Sequence, residues 1–133
     1  MPGNRLRFEE AIQKANDFVW AEQWSDAIQA YRRALNENPN NVSALMGYAW
    51  ALLNHEDWDE AVEVYEKLTE LSPEDPGPFE RIAEIAKERG ETARANGMYL
   101  AAAERYGRQD LEAKQTSALE SALSLDPYHD EAW

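Results

Sequence analysis

The sequence predicts an all-α fold, an α-solenoid of antiparallel helix pairs with about seven helices in all. The stretch WSDAIQAYRRALNENP (24–39) returns as WDEAVEVYEKLTELSP (58–73), 34 residues later. Columns of alanine and tyrosine keep this period through three copies, and the apolar residues of each copy follow helical spacing. Because one helix pair cannot bury its apolar face alone, the copies are expected to stack.

Three repeat units follow when Phe8 is taken as position 1, and the chain, residues 1–133, is predicted to be a single domain. The units are 8–41, 42–75 and 76–109. Position 8 is Ala15, Ala49 and Ala83, position 20 is Ala27, Ala61 and Ala95, and position 24 is Tyr31, Tyr65 and Tyr99. Alanine lets two helix backbones approach closely, and tyrosine fills the space beside them.

Each unit is predicted to contain two amphipathic helices joined by a tight turn. The turns are EQW (22–24), EDW (56–58) and GET (90–92). Ser25 and Asp59 are expected to be N-caps, and Gly90 is expected to adopt the left-handed conformation at a helix C-terminus. Position 32, where each second helix is expected to end, is Pro39, Pro73 and Gly107.

The segment after the third unit breaks the period. Residues 110–125 form either a lone seventh helix that caps the stack, which we favour, or part of a slipped register. In the slipped register the first helix of a fourth unit contains Tyr99, Ala102, Ala103 and Tyr106. The tail, 126–133, contains YHDEAW, which is similar to the opening of a further repeat.

These columns resemble the tetratricopeptide repeat family. The matching features are small residues at positions 8, 20 and 27, an aromatic residue at 24, proline at 32 and the 34-residue period. The resemblance covers about residues 8–109 and implies a tetratricopeptide superhelix. The third unit departs from the pattern, with Ile82 and Ala86 in slots for large residues and Gly97 inside its second helix.

The resemblance also implies that the first helices line a concave surface through positions 2, 5, 9, 12 and 13. These positions hold Glu9, Ile12, Asn16, Val19 and Trp20, then Ser43, Met46, Trp50, Leu53 and Asn54, then Gly77, Glu80, Glu84, Lys87 and Glu88. The first two units would present an apolar surface and the third an acidic one. Trp20 and Trp50 either form an exposed ligand platform, which we favour, or pack between helices. Trp24 and Trp58 are expected in the core.

Two branches of the family offer possible ligands. The chaperone-docking branch grips a C-terminal carboxylate with side chains at the positions of Ile12, Asn16, Gly47, Gly77 and Arg81. Only Asn16 and Arg81 match, and both lysines of that clamp are missing, so an acidic tail is not the expected ligand. Class II type III secretion chaperones are similar in outline only, as small, acidic, three-repeat proteins.

The net charge of the chain limits the classes of partner that it can bind. Thirteen basic and 26 acidic residues leave a formal charge of −13, which repels nucleic acid and favours a basic or apolar segment of a protein partner. The most apolar run, VSALMGYAWALL (42–53), is shorter than the ~18–20 residues of a membrane span. A cytoplasmic location without membrane insertion is therefore expected.

Catalytic signatures are poor, and no cofactor is expected. The chain has no cysteine, and His55 and His129 are far apart, so a zinc site has little support. The acidic cluster HEDWDE (55–60) is expected to be a solvated turn rather than a cation site. We expect a non-enzymatic interaction scaffold, with a self-assembling segment of a longer array or a secretion chaperone as alternatives. A homo-oligomer would form through the open ends of the solenoid or through the C-terminal tail.

Overall fold

The computed structural model describes residues 2–125, with side chains from residue 6 onward, so the predicted tail 126–133 and its His129 lie outside the described residues. Residues 2–125 contain seven helices and no strand, which confirms the predicted all-α class. The helices are α1 (Pro2–Trp20), α2 (Trp24–Glu37), α3 (Val42–Asn54), α4 (Trp58–Leu71), α5 (Pro76–Glu88), α6 (Thr92–Arg108) and α7 (Glu112–Leu125). None of these described helices combines the length and apolarity that crossing a bilayer requires.

The alanine and tyrosine columns lie in the core in every copy. The fully buried alanines are Ala15, Ala49 and Ala83 of the first helices and Ala27, Ala61 and Ala95 of the second helices. The tyrosines of position 24, Tyr31, Tyr65 and Tyr99, are also buried. The small residues are therefore placed where close helix packing needs them.

The chain divides into two compact units, Met1–Leu71 and Ser72–Trp133. In the first unit α1 packs on α2, α2 on α3, and α3 on α4. In the second unit α6 packs on both α5 and α7. Helix α7 is a single additional helix, which buries Ala118 and Ala122 against α6. The organisation of the chain as a single domain stays a prediction.

Left-handed residues mark the turns inside the helix pairs. Glu22, Glu56 and Gly90 have φ values of 57°, 65° and 75°, so the predicted conformation of Gly90 is confirmed. Asp110, before α7, has a φ of 58°. In each turn the chain reverses within three residues, which places the paired helices antiparallel.

The predicted N-caps Ser25 and Asp59 are wrong. Helices α2 and α4 begin at Trp24 and Trp58, so both residues lie inside the first helical turn. The N-cap of α2 is Gln23, whose side chain makes no capping hydrogen bond. The left-handed residues Glu22 and Glu56 reverse the chain before these positions, so each helix begins before its predicted N-cap residue.

Gly107 does not end its helix, contrary to the prediction for position 32. Helices α2 and α4 do end before Pro39 and Pro73, but α6 continues through Gly107 to Arg108. Glycine keeps the backbone N–H that proline lacks, so the helix can continue. A Cβ on Gly107 would meet the end of the Gln115 side chain of α7, so the glycine leaves this space to that flexible side chain.

Candidate functional site

The predicted binding residues of the first unit lie on α1 and α3, and we call this set the α1/α3 face. Its members are Ile12, Asn16, Val19 and Trp20 of α1 and Met46, Trp50, Leu53 and Asn54 of α3. Trp20 is 88% exposed and Trp50 is 38% exposed. The four aliphatic and thioether side chains of the set are half-buried, and both asparagines are exposed. The face therefore offers apolar surface to solvent beyond the filled core.

The side chain of Tyr31 contacts both helices of this face, α1 and α3, from the core side. It projects from α2, and its hydroxyl donates a hydrogen bond of 3.0 Å to Asn16 Oδ1. A Cβ on Gly47 of α3 would lie 2.3 Å from the same hydroxyl oxygen. Burial raises the pKa of Tyr31, so the hydroxyl keeps its proton and orients the Asn16 amide.

Sequence reasoning missed this arrangement. It assigned Tyr31 to the core and counted Gly47 only as a mismatch to the carboxylate clamp. The available signal was a glycine inside the otherwise apolar helix α3, where an ordinary residue would favour helix formation more. Gly47 is required here because the tip of Tyr31 occupies the space of its side chain.

A polar network fixes α3 between its neighbours. Arg32 of α2 donates from Nε to the Tyr48 hydroxyl of α3 at 3.0 Å, and its guanidinium lies 3.0 Å from Glu60 of α4. The Tyr48 hydroxyl donates to Glu60. Burial, and then the hydrogen bond to Glu60, raise the pKa of Tyr48. At the end of α3, the Asn54 amide donates to the Trp50 carbonyl at 2.8 Å.

The other predicted residues lie on α5 in the second unit. Glu80 accepts a hydrogen bond from the Tyr106 hydroxyl, and Arg81 pairs with Glu84 at 3.2 Å. Lys87 is exposed. Burial first, and then Glu80, raise the pKa of Tyr106. Glu80 and Glu84 are thus engaged within their own unit as well as being candidate ligand groups.

Three carboxylates of α5 act electrostatically on Tyr99 of α6. Burial raises the pKa of Tyr99, and Glu84, Glu80 and Glu88 raise it further. The three glutamates are spaced at i, i+4 and i+8, so they share one side of α5. We call Glu80, Glu84 and Glu88 the α5 acidic face.

The other tryptophans and the histidine that the sequence singled out lie at the core edge or in a turn. Trp24 and Trp58 are half-buried, so they lie at the edge of the core rather than at its centre. His55 Nδ1 lies 2.8 Å from Asp57 Oδ2 in the exposed turn after α3. In the part of the chain that the structure describes, no group of three or more His, Cys, Asp or Glu side chains could hold a metal ion.

A cavity of about 340 Å³ is lined by residues of α1 and α2, none of which is a predicted site residue. Its lining residues are Arg7, Glu10, Ala11, Lys14, Ala30, Arg33, Asn36 and Glu37. No sequence pattern predicts this cavity, because it depends on which flanks of the two helices meet.

Comparisons with known proteins agree with this architecture. The family model described as tetratricopeptide repeat matches residues 8–76. No curated protein matches the sequence. The Yersinia enterocolitica type III secretion translocator chaperone SycD is 18% identical, with 86% of this chain and 90% of that chain covered and a TM-score of 0.75.

Two peptide complexes show the same fold. The structure of PcrH in complex with the chaperone binding region of PopD is 15% identical, covers 87% of this chain and 90% of that chain, and has a TM-score of 0.77. The TPR2B domain of yeast Sti1, in a pHsp70 complex, is 20% identical, with 90% and 98% covered and a TM-score of 0.76. Identities this low establish similarity of fold alone.

Proposed function

Because the chain belongs to the tetratricopeptide repeat family, we propose that it is a non-enzymatic interaction scaffold whose α1/α3 face binds an apolar segment of a protein partner. One observation carries this proposal: Trp20 and Trp50 are exposed although the core columns beside them are already filled. Large exposed aromatic side chains are the residues that most often anchor protein interfaces. The cytoplasmic location is part of the same proposal.

The half-buried members of the face support such a partner energetically. Burying an apolar anchor side chain contributes about 1.5–3 kcal/mol, so two or three anchors give a useful affinity after the ordering costs. The asparagine held by Tyr31 supplies a polar group of fixed orientation among them. An extended or helical segment with spaced apolar side chains would match this composition.

The charge of the chain supports a basic partner. The formal charge is −13, and the α5 acidic face concentrates part of it. Complementary charge speeds association and excludes acidic competitors more than it adds affinity. Basic residues in the partner segment would therefore set its selectivity, and the apolar anchors would set its strength.

Solved complexes of the same fold give further support. PcrH holds the chaperone binding region of PopD, and SycD has been solved with a peptide of the translocator YopD. We propose that this chain also takes a peptide segment. A chaperone of secreted proteins is the second candidate, because SycD, which has the same fold, is a type III secretion translocator chaperone.

A binding titration tests the first candidate. The probe is a fluorescent peptide of about 15 residues with leucine anchors and lysines. Replacing Trp20→Ala and Trp50→Ala together should weaken binding about tenfold or more, which corresponds to about 1.4 kcal/mol. The matched control is Leu71→Ala, because Leu71 is also 38% exposed but lies on α4. Circular dichroism verifies that each variant remains helical.

The outcome separates the candidates. Equal binding by the double variant and the native chain would overturn the assignment of the α1/α3 face. A second probe with glutamate in place of lysine should bind more weakly, and equal binding would overturn the role of charge. Protection of an unfolded secreted protein from aggregation, lost in the double tryptophan variant, would favour the secretion chaperone.

A further inference from the structure

The cavity between α1 and α2 has a basic rim in an otherwise acidic chain. Its floor contains Ala30, which is buried, and Ala11, which is half-buried. The cations at its edge are Arg7, Lys14 and Arg33. Within the described residues, no ion pair or side-chain hydrogen bond involves any of these three. Glu10 and Glu37 also line the cavity, so its rim carries three positive and two negative charges, against −13 for the chain.

The cations of this rim differ from three arginines elsewhere in the described chain. Arg32, Arg81 and Arg108 are each paired with a carboxylate at 3.2 Å or less. The three rim cations have no such carboxylate partner in the described part of the chain, and all three line the same cavity. We call this region the α1/α2 groove.

A second unusual surface lies on the flank of α6 and α7. Leu100, Leu119 and Leu123 are 45%, 39% and 53% exposed. Leu119 and Leu123 are one turn apart on α7, so they share one flank of the helix. Lys114 lies on the opposite flank, with its Nζ 5.9 Å from the centre of the Tyr106 ring.

Helix α6 contributes to the same flank as the leucines of α7. Asn96 of α6 donates to the Ala122 carbonyl of α7, and Leu100 follows Asn96 by one turn along α6. A Cβ on Gly97 would have no atom within 4 Å, so this side of α6 is open. We call Leu100, Leu119 and Leu123 the α6/α7 flank.

Carboxylates lie beside these leucines. Glu112 and Glu120 are exposed on α7. In the described part of the chain, neither forms an ion pair or a side-chain hydrogen bond. Glu104 of α6, which is also exposed, pairs with Arg108. The flank is thus an apolar ridge with an acidic border.

We propose that the α6/α7 flank of one molecule docks into the α1/α2 groove of a second copy of this chain. The leucine side chains fit an alanine-floored groove, since large side chains enter holes that small residues leave. The unpaired carboxylates beside the ridge complement the unpaired cations of the rim. The two surfaces differ, so the contact is heterologous, head to tail.

The contact is independent of the proposed peptide binding. Neither surface includes a member of the α1/α3 face, so the two contacts use different residues. Repulsion between two chains of charge −13 opposes association at low salt. At about 0.15 M salt the Debye length is about 8 Å, which screens this general repulsion more than it screens contacting pairs.

Sedimentation equilibrium of the full chain at that salt concentration tests the proposal. The native chain should associate increasingly with concentration. The ridge variant, Leu119→Glu with Leu123→Glu, and the groove variant, Lys14→Glu with Arg33→Glu, should each remain monomeric. The matched controls, Leu71→Glu and Lys87→Glu, change exposed residues elsewhere and should associate like the native chain.

Mixing the two variants gives the sharpest result. The ridge variant retains an intact groove and the groove variant an intact ridge, so an equimolar mixture should form a one-to-one dimer and nothing larger. Circular dichroism confirms that each variant is folded. The double variant Glu112→Lys with Glu120→Lys tests the carboxylates of the α6/α7 flank, because it leaves the leucines unchanged. A native chain that stays monomeric, variants that still self-associate, or a mixture that stays monomeric would overturn the proposal. A failed peptide titration would leave it untouched, because different residues are changed.

Discussion

The same tyrosine column serves two chemically different surfaces in the two units. In the first unit Tyr31 lies between Asn16 and Gly47, beneath an apolar face. In the second unit the equivalent Tyr99 packs in the core, and the carboxylates of the α5 acidic face raise its pKa further after burial. The column residues therefore determine helix packing, whereas the first-helix positions around them are free to set the chemistry of binding.

The largest effect on stability is expected from placing a large side chain in the buried alanine column of the second helices. Ala61 and Ala95 occupy the same repeat position and are both fully buried. Changing either to phenylalanine should destabilise the fold by about 1–3 kcal/mol or more, because no space is available at a close helix crossing. Urea denaturation followed by circular dichroism measures the loss, with Ala113→Phe on the exposed side of α7 as the control. Tolerance of only one of the two changes would show that the units do not share one packing scheme.

A smaller change in stability is expected when a helical glycine is replaced by alanine, and its sign should differ between the two units. Gly47→Ala should cost about 1–3 kcal/mol, because the added Cβ meets the Tyr31 ring tip. Gly97→Ala should instead stabilise by about 1 kcal/mol, because that helical position is open. A double-mutant cycle with Tyr31→Leu should show that the Gly47 penalty depends on the tyrosine. Equal responses of both glycines would contradict this difference.

Alkaline pH should weaken the fold through its buried phenols. Burial raises the folded-state pKa values of Tyr31, Tyr48, Tyr99 and Tyr106 above their ordinary value of 10.0. Folding therefore favours the neutral phenol, so this stability is present below pH 10.0 and is lost as the pH rises toward the folded-state values. Denaturation at about pH 8 and about pH 11 should show the decline, and Tyr106→Phe should reduce it. A decline of equal size in Tyr106→Phe would remove Tyr106 from the explanation.

The smallest effect on stability is expected at the exposed pair of Arg81 and Glu84. Exposed ion pairs contribute about 0–1 kcal/mol, so Arg81→Ala should change the unfolding free energy by no more than that. The variant makes the α5 acidic face more negative, so stopped-flow mixing should show faster association of the lysine-bearing probe. A large loss of stability with unchanged association would assign this face to the fold rather than to binding.

The sequence was sufficient for the features that depend on a repeated position. The columns of Ala15, Ala27 and Tyr31 predicted the helix pairs, because a period of 34 residues exposes the same packing requirement three times. The left-handed Gly90 followed from the preference of that conformation for glycine.

Features that depend on a contact between particular helices could not be predicted. The bond between Tyr31 and Asn16, the engagement of Glu80 by Tyr106, and the α1/α2 groove all require the relative placement of two helices. The N-cap error at Ser25 had a different cause, since the preceding turn reverses the chain at Glu22. Glu22 is not a residue type that signals this conformation.

In the proposed function Trp20 and Trp50 form a partner-binding surface, while Trp24 and Trp58 support the fold. The most direct measurement is the NMR titration of the tryptophan indole N–H signals with the lysine-bearing probe, assigned by single Trp→Phe variants. The signals of Trp20 and Trp50 should shift together and saturate, and those of Trp24 and Trp58 should stay in place. Saturable binding that leaves the Trp20 and Trp50 signals unmoved would contradict the claim.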